Sequence, residues 1–152
     1  MKELIAKVFQ RIQQESTYSK DKSDKHGEVF TPAELINEMI DKLPADVWKD
    51  RTKTFFDPCA GKGNFPIQII ERLYTHLEEE IPNEEERLRH IVENQIYMAE
   101  FQEASCKFVR TIFSFGRGYK VNLYCGDTLK MPTDFFDLSY EERFEKYPEH
   151  CC

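Results

Sequence analysis

Leu4, Ile5, Val8, Phe9 and Ile12 recur at three- and four-residue intervals, and this spacing predicts an amphipathic helix over about residues 2–15. Ser16 to Gly27 carry no periodicity and several lysines, and are expected to form a solvated loop. Helical spacing returns with Leu35, Ile36, Met39, Ile40 and Leu43, which are expected on the buried face of a second helix closed by Pro44. Its start is expected at Thr31, with Pro32 in the first helical position and Glu34 completing a capping box. A short apolar run, Thr54-Phe55-Phe56, reads as a strand. Ile67, Ile70, Leu73, Tyr74 and Leu77 then mark a third helix, and Asn83 with Glu86 opens a short acidic helix reaching about Asn94.

Ile96-Tyr97-Met98-Ala99 predicts a second strand ending at Glu100, and Ala104, Phe108, Val109, Ile112 and Phe113 another helix. Gly116-Arg117-Gly118 turns the chain into a third strand, Tyr119 to Cys125, closed by Gly126-Asp127. Strands alternating with helices imply parallel pairing through right-handed crossovers. The expected fold is therefore α/β, a Rossmann-like parallel sheet of about three strands preceded by an N-terminal helical segment. Residues 1–50 are read as that segment and 51–152 as the core. An open α/β sheet takes its ligand beyond the carboxyl ends of its strands. All three strands end there in an acid: Asp57, Glu100 and Asp127.

The turn after the first strand, Asp57-Pro58-Cys59-Ala60-Gly61-Lys62-Gly63-Asn64-Phe65, carries the most chemistry. Glycines one residue apart let a bulky ligand lie against the backbone, because no Cβ intervenes. A P-loop requires glycine five residues before Gly61 and Ser or Thr after Lys62; Phe56 and Gly63 stand there instead. A dinucleotide fingerprint requires glycine where Pro66 stands. With an acid at the strand tip and neither phosphate motif, the turn suits a nucleoside bearing positive charge. The plainer alternative is an ordinary glycine turn between strand and helix.

Composition narrows the field. A chain of 152 residues with 40% hydrophobic positions suits one domain with a real core. A net charge of −7 argues against a free-standing nucleic-acid binder. No apolar run approaches the roughly 18 residues that span a bilayer, and the N-terminus lacks a signal-peptide pattern. Cysteines 59, 106, 125, 151 and 152 form no C-x-x-C pair and are odd in number, so a reduced set in the cytoplasm is expected. The histidines at 26, 76, 90 and 150 show no metal-ligand spacing.

With these segments placed, the chain resembles the N-terminal, cofactor-binding half of an S-adenosylmethionine-dependent adenine-N6 DNA methyltransferase of the restriction-modification type. The resemblance covers roughly residues 26–129 and rests on Asp-Pro-x-x-Gly-x-Gly-Asn-Phe at 57–65 and Gly-Glu-Val-Phe-Thr-Pro at 27–32. It implies S-adenosyl-L-methionine as cofactor, held by Phe30, Thr31, Asp57, Pro58, Gly61, Gly63, Asn64, Phe65, Glu100, Phe101 and Asp127. Phe30 and Thr31 would close over it, and Asp57 and Gly61 would surround its methionine end. Glu100 would hold the ribose hydroxyls, and Asp127 would accept from the adenine amino group. The chemistry agrees: one carboxylate can accept from both hydroxyls of a diol, and an exocyclic amine needs an acceptor. Glu100 and Asp127 also precede apolar stretches, so the alternative of helix N-caps stands beside these roles.

The family's further motif, Asn- or Asp-Pro-Pro-Tyr or -Phe, which orients the flipped adenine, has no counterpart here. Ser139 with Glu142 instead predicts a helix near 140–147 where a fourth strand is expected. DNA is thus expected as a partner only weakly, or once another chain or domain completes the protein. The first strand is expected to present an unpaired edge open to self-association. The implied activity is methyl transfer to adenine in DNA by a completed enzyme, with the isolated chain inactive. The alternative is a catalytically inactive cofactor-binding or regulatory module.

Overall fold

The computed structural model describes residues 1–20 and 31–151. The upstream segment through Phe30 lies outside the described residues, apart from Thr31 and Pro32. Three short strands, β1 (Phe55–Asp57), β2 (Ile96–Glu100) and β3 (Asn122–Cys125), form one parallel sheet in the order β1-β2-β3. Asp57 pairs in register with Met98, and Glu100 with Cys125. β2 therefore runs two residues beyond β1, and Glu100 stands over the glycine turn rather than beside Asp57. The pairing continues past the strand ends: Ala60 N–H donates to the Ala99 carbonyl at 2.9 Å, and Gly126 N–H to that of Glu100 at 2.8 Å.

The helices are α1 (Lys2–Lys20), α2 (Ala33–Ile40), α3 (Asn64–His76), α4 (Glu84–His90), α5 (Glu103–Phe113) and α6 (Tyr140–Lys146). Side chains alternate across a sheet, so its two faces read separately. Phe55, Ile96, Met98 and Leu123 enter the main core with Ile5, Val8 and Ile12 of α1, Ile67, Ile70 and Leu73 of α3, and Val109 and Phe113 of α5. Ala99 and Tyr124 face the other way, under Phe135, Phe136, Tyr147 and Cys151 of the C-terminal segment. That segment enters α6 through the expected capping box, with Ser139 and Glu142 bonded reciprocally.

Several expectations change. α1 continues through Lys20 and buries Ser16, which receives a hydrogen bond from Asn64 at 3.4 Å; the helix is held there by α3, not by its own periodicity. α2 begins at Ala33 with Pro32 as its N-cap and no side-chain cap bond, so Thr31 does not cap it. Only Ile36 and Ile40 of its stripe are buried, while Leu35, Met39 and Leu43 are exposed. The reason is the partner surface: α2 meets α3 through polar contacts, Asn37 to Gln68 at 3.0 Å and Arg72 to Asp41. The acidic helix ends at His90 and passes into a π-helical turn, Ile91–Gln95. Asn122 pins that turn, donating to the carbonyls of Glu93 at 2.8 Å and Ile96 at 3.2 Å while accepting from Arg143 at 2.8 Å.

β1 lies at one edge of the sheet, but its aromatic rings are partly covered. Phe55 stacks on Trp48 with centroids 5.2 Å apart, and Phe56, 47% exposed, meets Phe136 edge-on at 5.8 Å. Cys59, Cys106 and Cys151 are free thiols, whereas Cys125 is disulfide-bonded, contrary to the expectation of a reduced set. Among the described residues no helix is long and apolar enough to cross a membrane.

Candidate functional site at the strand tips

The carboxyl ends of the three strands are tied into one rim. One oxygen of Glu100 accepts from Gly61 N–H at 2.8 Å and the other from Gln102 N–H at 2.8 Å, so a buried carboxylate clamps the glycine turn to the start of α5. A carboxylate oxygen offers two acceptor sites, so each keeps one open. The N-cap position of α5 belongs to Gln102, not to Glu100. Asp57 is half-buried and accepts from Cys59 N–H at 3.0 Å through Oδ1. Burial pushes its carboxyl above the ordinary range; the Cys59 hydrogen bond opposes this, and the nearby Glu100 charge adds to the rise. Among the described residues neither acid makes an ion pair.

The third acid lies on the same rim with a different local role. Asp127 caps a 3₁₀ turn, Thr128–Lys130, accepting from Leu129 N–H at 3.1 Å, and its other oxygen lies 3.6 Å from Lys130 Nζ. The N-cap alternative thus describes its resting contacts, while unused lone pairs remain. The next residue, Thr128, donates through its hydroxyl to the Pro58 carbonyl at 2.7 Å and so joins the end of β3 to the first turn. No sequence signal marked Thr128. Nor did any mark His150, which donates from Nδ1 to the Cys125 carbonyl at 2.8 Å beside this rim.

The two glycines of the turn divide the work expected of both. Gly61 has φ +54°, and a Cβ there would meet nothing within 4 Å, so its surface is open to a ligand. Gly63 has φ +93°, and its Cβ would lie 2.3 Å from Cε2 of Phe113. It serves close packing of the turn on α5. Asn64 likewise faces α1, accepting from Gln13 at 3.2 Å, and Phe65 packs against the main core. Pro58 and Phe101 are exposed, the latter at 72%. Thr31 is half-buried ahead of α2, and Phe30 lies outside the described residues. Burial and then the Glu100 charge push the thiol of Cys106, next to this rim, up to about 12.

Residues 3–145 match the family model described as N-6 DNA Methylase. The chain belongs to this family. It is 38% identical over 58 residues to the type II methyltransferase M.VspI of Vibrio sp. (strain 343), a match covering 38% of this chain and 14% of the relative. An uncharacterized adenine-specific methylase of Mycoplasma pneumoniae is 37% identical over 73 residues, covering 46% of this chain and 17% of that protein. In fold the chain is similar to a modification subunit of a putative type I restriction enzyme from Vibrio vulnificus YJ016. That likeness has a TM-score of 0.55 at 17% identity, covering 91% of this chain and 26% of the other. The matches thus span only about a seventh to a quarter of these longer proteins.

Proposed function

We propose that this chain is the S-adenosylmethionine-binding portion of an adenine-N6 DNA methyltransferase, acting on DNA when a segment carrying the adenine-orienting motif and a target-recognition region complete it. The observation carrying the reading is the Glu100–Gly61 clamp, which gathers the tips of β1 and β2 around an open glycine surface with acceptor capacity unspent. The residues fit the cofactor. Glu100 has one free acceptor site on each oxygen for a vicinal diol, Asp127 has lone pairs for an exocyclic amine, and Asp57 has an oxygen without a partner among the described residues.

When bound, the cofactor supplies an electrophilic methyl group on a sulfonium. The chain's own part is to bind and orient. Glu100 fixes the sugar by two charge-assisted hydrogen bonds, and Asp127 holds the base through its amino group. Asp57 offsets positive charge near the methionine end, and Gly61 lets the ligand approach the backbone. None of these residues abstracts a proton from adenine or orients its nitrogen for attack, so methyl transfer requires the completing segment. The edge of β1 is where such a segment would extend the sheet, by this chain's association with another polypeptide or with itself.

Calorimetry with S-adenosylhomocysteine tests the reading. Wild-type chain should bind, and Glu100→Ala should weaken binding at least about 100-fold, the worth of two hydrogen bonds to a charged group. Asp57→Ala should also weaken it. Binding that survives both substitutions would contradict the assignment. A tritium-transfer assay on genomic DNA should give no incorporation with the isolated chain; robust incorporation would show that no completing segment is required.

A further inference from the structure

His150 sits where the C-terminal 3₁₀ turn, Pro148–His150, folds back onto the end of β3. Its Nδ1 carries a proton, since it meets a carbonyl: the Cys125 oxygen 2.8 Å away. Its ring lies against Tyr124, with centroids 4.6 Å apart and planes inclined by 35°. Between these groups and the rim lies Gly126, whose φ of +153° admits few side chains. A Cβ on Gly126 would stand 3.0 Å from His150 Nδ1 and 3.1 Å from the Tyr124 hydroxyl. His150 is therefore fastened to the residue before Gly126 and walls Gly126 itself. Gly126 N–H is held from the other side by the Glu100 carbonyl at 2.8 Å. The next residue along is Asp127.

We infer that His150 is a positioning residue for the adenosyl site, setting the direction of the Asp127 carboxylate by fixing the Gly126–Asp127 turn from the C-terminal segment. This rests on the proposed function, because it gives the turn a ligand to meet. The device places a side chain from position 150 in control of an acid at 127. Glu149 of the same turn lies 3.6 Å from His150 Nε2, and Cys151 packs with Tyr124. The ring stack and the N–H donor are separable: phenylalanine keeps the first, and asparagine, whose amide nitrogen occupies the place of Nδ1, keeps the second.

The test is calorimetric titration of the 152-residue chain with S-adenosylhomocysteine, using wild type, His150→Ala, His150→Phe, His150→Asn, Asp127→Ala and the double variant H150A/D127A. His150→Ala and His150→Phe should bind about fivefold more weakly, the effect of one lost neutral hydrogen bond. His150→Asn should return to within about twofold of wild type. In the Asp127→Ala background, His150→Ala should cost nothing further, because the group it positions is gone. Should His150→Ala fail to fold, the Phe and Asn variants carry the same comparison. Independent, multiplying losses from H150A and D127A, or an Asn variant as weak as the Phe variant, would overturn the inference while leaving the binding assignment intact. A wild-type chain that binds no adenosyl ligand would overturn both.

Discussion

Replacing Gly63 by alanine should damage the fold, whereas the same change at Gly61 should leave the fold and damage the site. At Gly63 the new methyl would stand 2.3 Å from Cε2 and 2.7 Å from Cζ of Phe113, a fully buried ring with no solvent to move into. Overpacking of this kind costs about 1–3 kcal/mol. Holding alanine at a left-handed φ adds about 1–2 kcal/mol, and the lower entropy of the unfolded alanine chain returns about 0.5–1 kcal/mol. The net loss is about 2–4 kcal/mol, which for a domain of this size lowers Tm by about 5–15 °C. At Gly61, with φ +54° and open space, only the backbone contributes, leaving a net loss of at most about 1.5 kcal/mol and a fall in Tm of no more than about 6 °C. Thermal melts by circular dichroism measure both. Phe113→Leu supplies the control, since shrinking the ring should relieve Gly63→Ala by at least about 1 kcal/mol beyond additivity. A Gly63→Ala chain melting within about 2 °C of wild type, or additive losses in the pair, would refute the packing role.

Asp57→Asn should raise Tm at about pH 7, because an aspartate whose folded pKa is raised holds the native state back once ionised. That penalty is full above the folded pKa and absent below the unfolded value of 3.8, so melts at falling pH should converge with wild type. A variant no more stable than wild type at neutral pH would contradict the buried-charge account. Asn122→Leu should cost about 3 kcal/mol in urea unfolding, since it removes one donor from the Glu93 and Ile96 carbonyls and the acceptor of the buried Arg143 Nη1 together. Ser139→Ala should cost only about 1 kcal/mol, the worth of one helix cap on an exposed turn, read in the same unfolding curves.

The strands and the acids at their tips were legible because a parallel sheet buries short apolar runs and a turn must follow each. The core faces of α3 and α5 were legible for the same reason: each long stripe meets a large apolar partner. What escaped the sequence was set by partners distant along the chain. Leu35 and Met39 share the helical spacing of Ile36 and Ile40, yet α2 docks on α3 through Asn37, Gln68 and Arg72, leaving half the stripe outside. Ser16 lies inside a helix because Asn64 reaches it. That Gly63 also packs too close to Phe113 for any side chain is set by a residue fifty positions away and has no signal in the turn itself. Thr128 and His150 act through one hydrogen bond each to a backbone carbonyl, a contact with no periodicity to announce it.

The nine-residue turn meets two opposed demands by assigning them to different residues. Gly63, Asn64 and Phe65 face inward and fix the backbone on α5, α1 and the main core. Among the described residues, Asp57 keeps an oxygen without a partner, and Pro58 and Gly61 keep open surface. A rigid frame beneath an unsatisfied rim is what a site needs if it is to bind without reorganising. The rim bears two neighbouring carboxylates that make no ion pair among the described residues, and burial already resists the charge on Asp57. A ligand bringing positive charge relieves that tension and a neutral or anionic one does not. On the function proposed above, the same arrangement that lowers the stability of the fold would favour a cationic nucleoside as ligand. That bias is why Asp57→Asn is expected to stabilise the fold while Asp57→Ala weakens ligand binding.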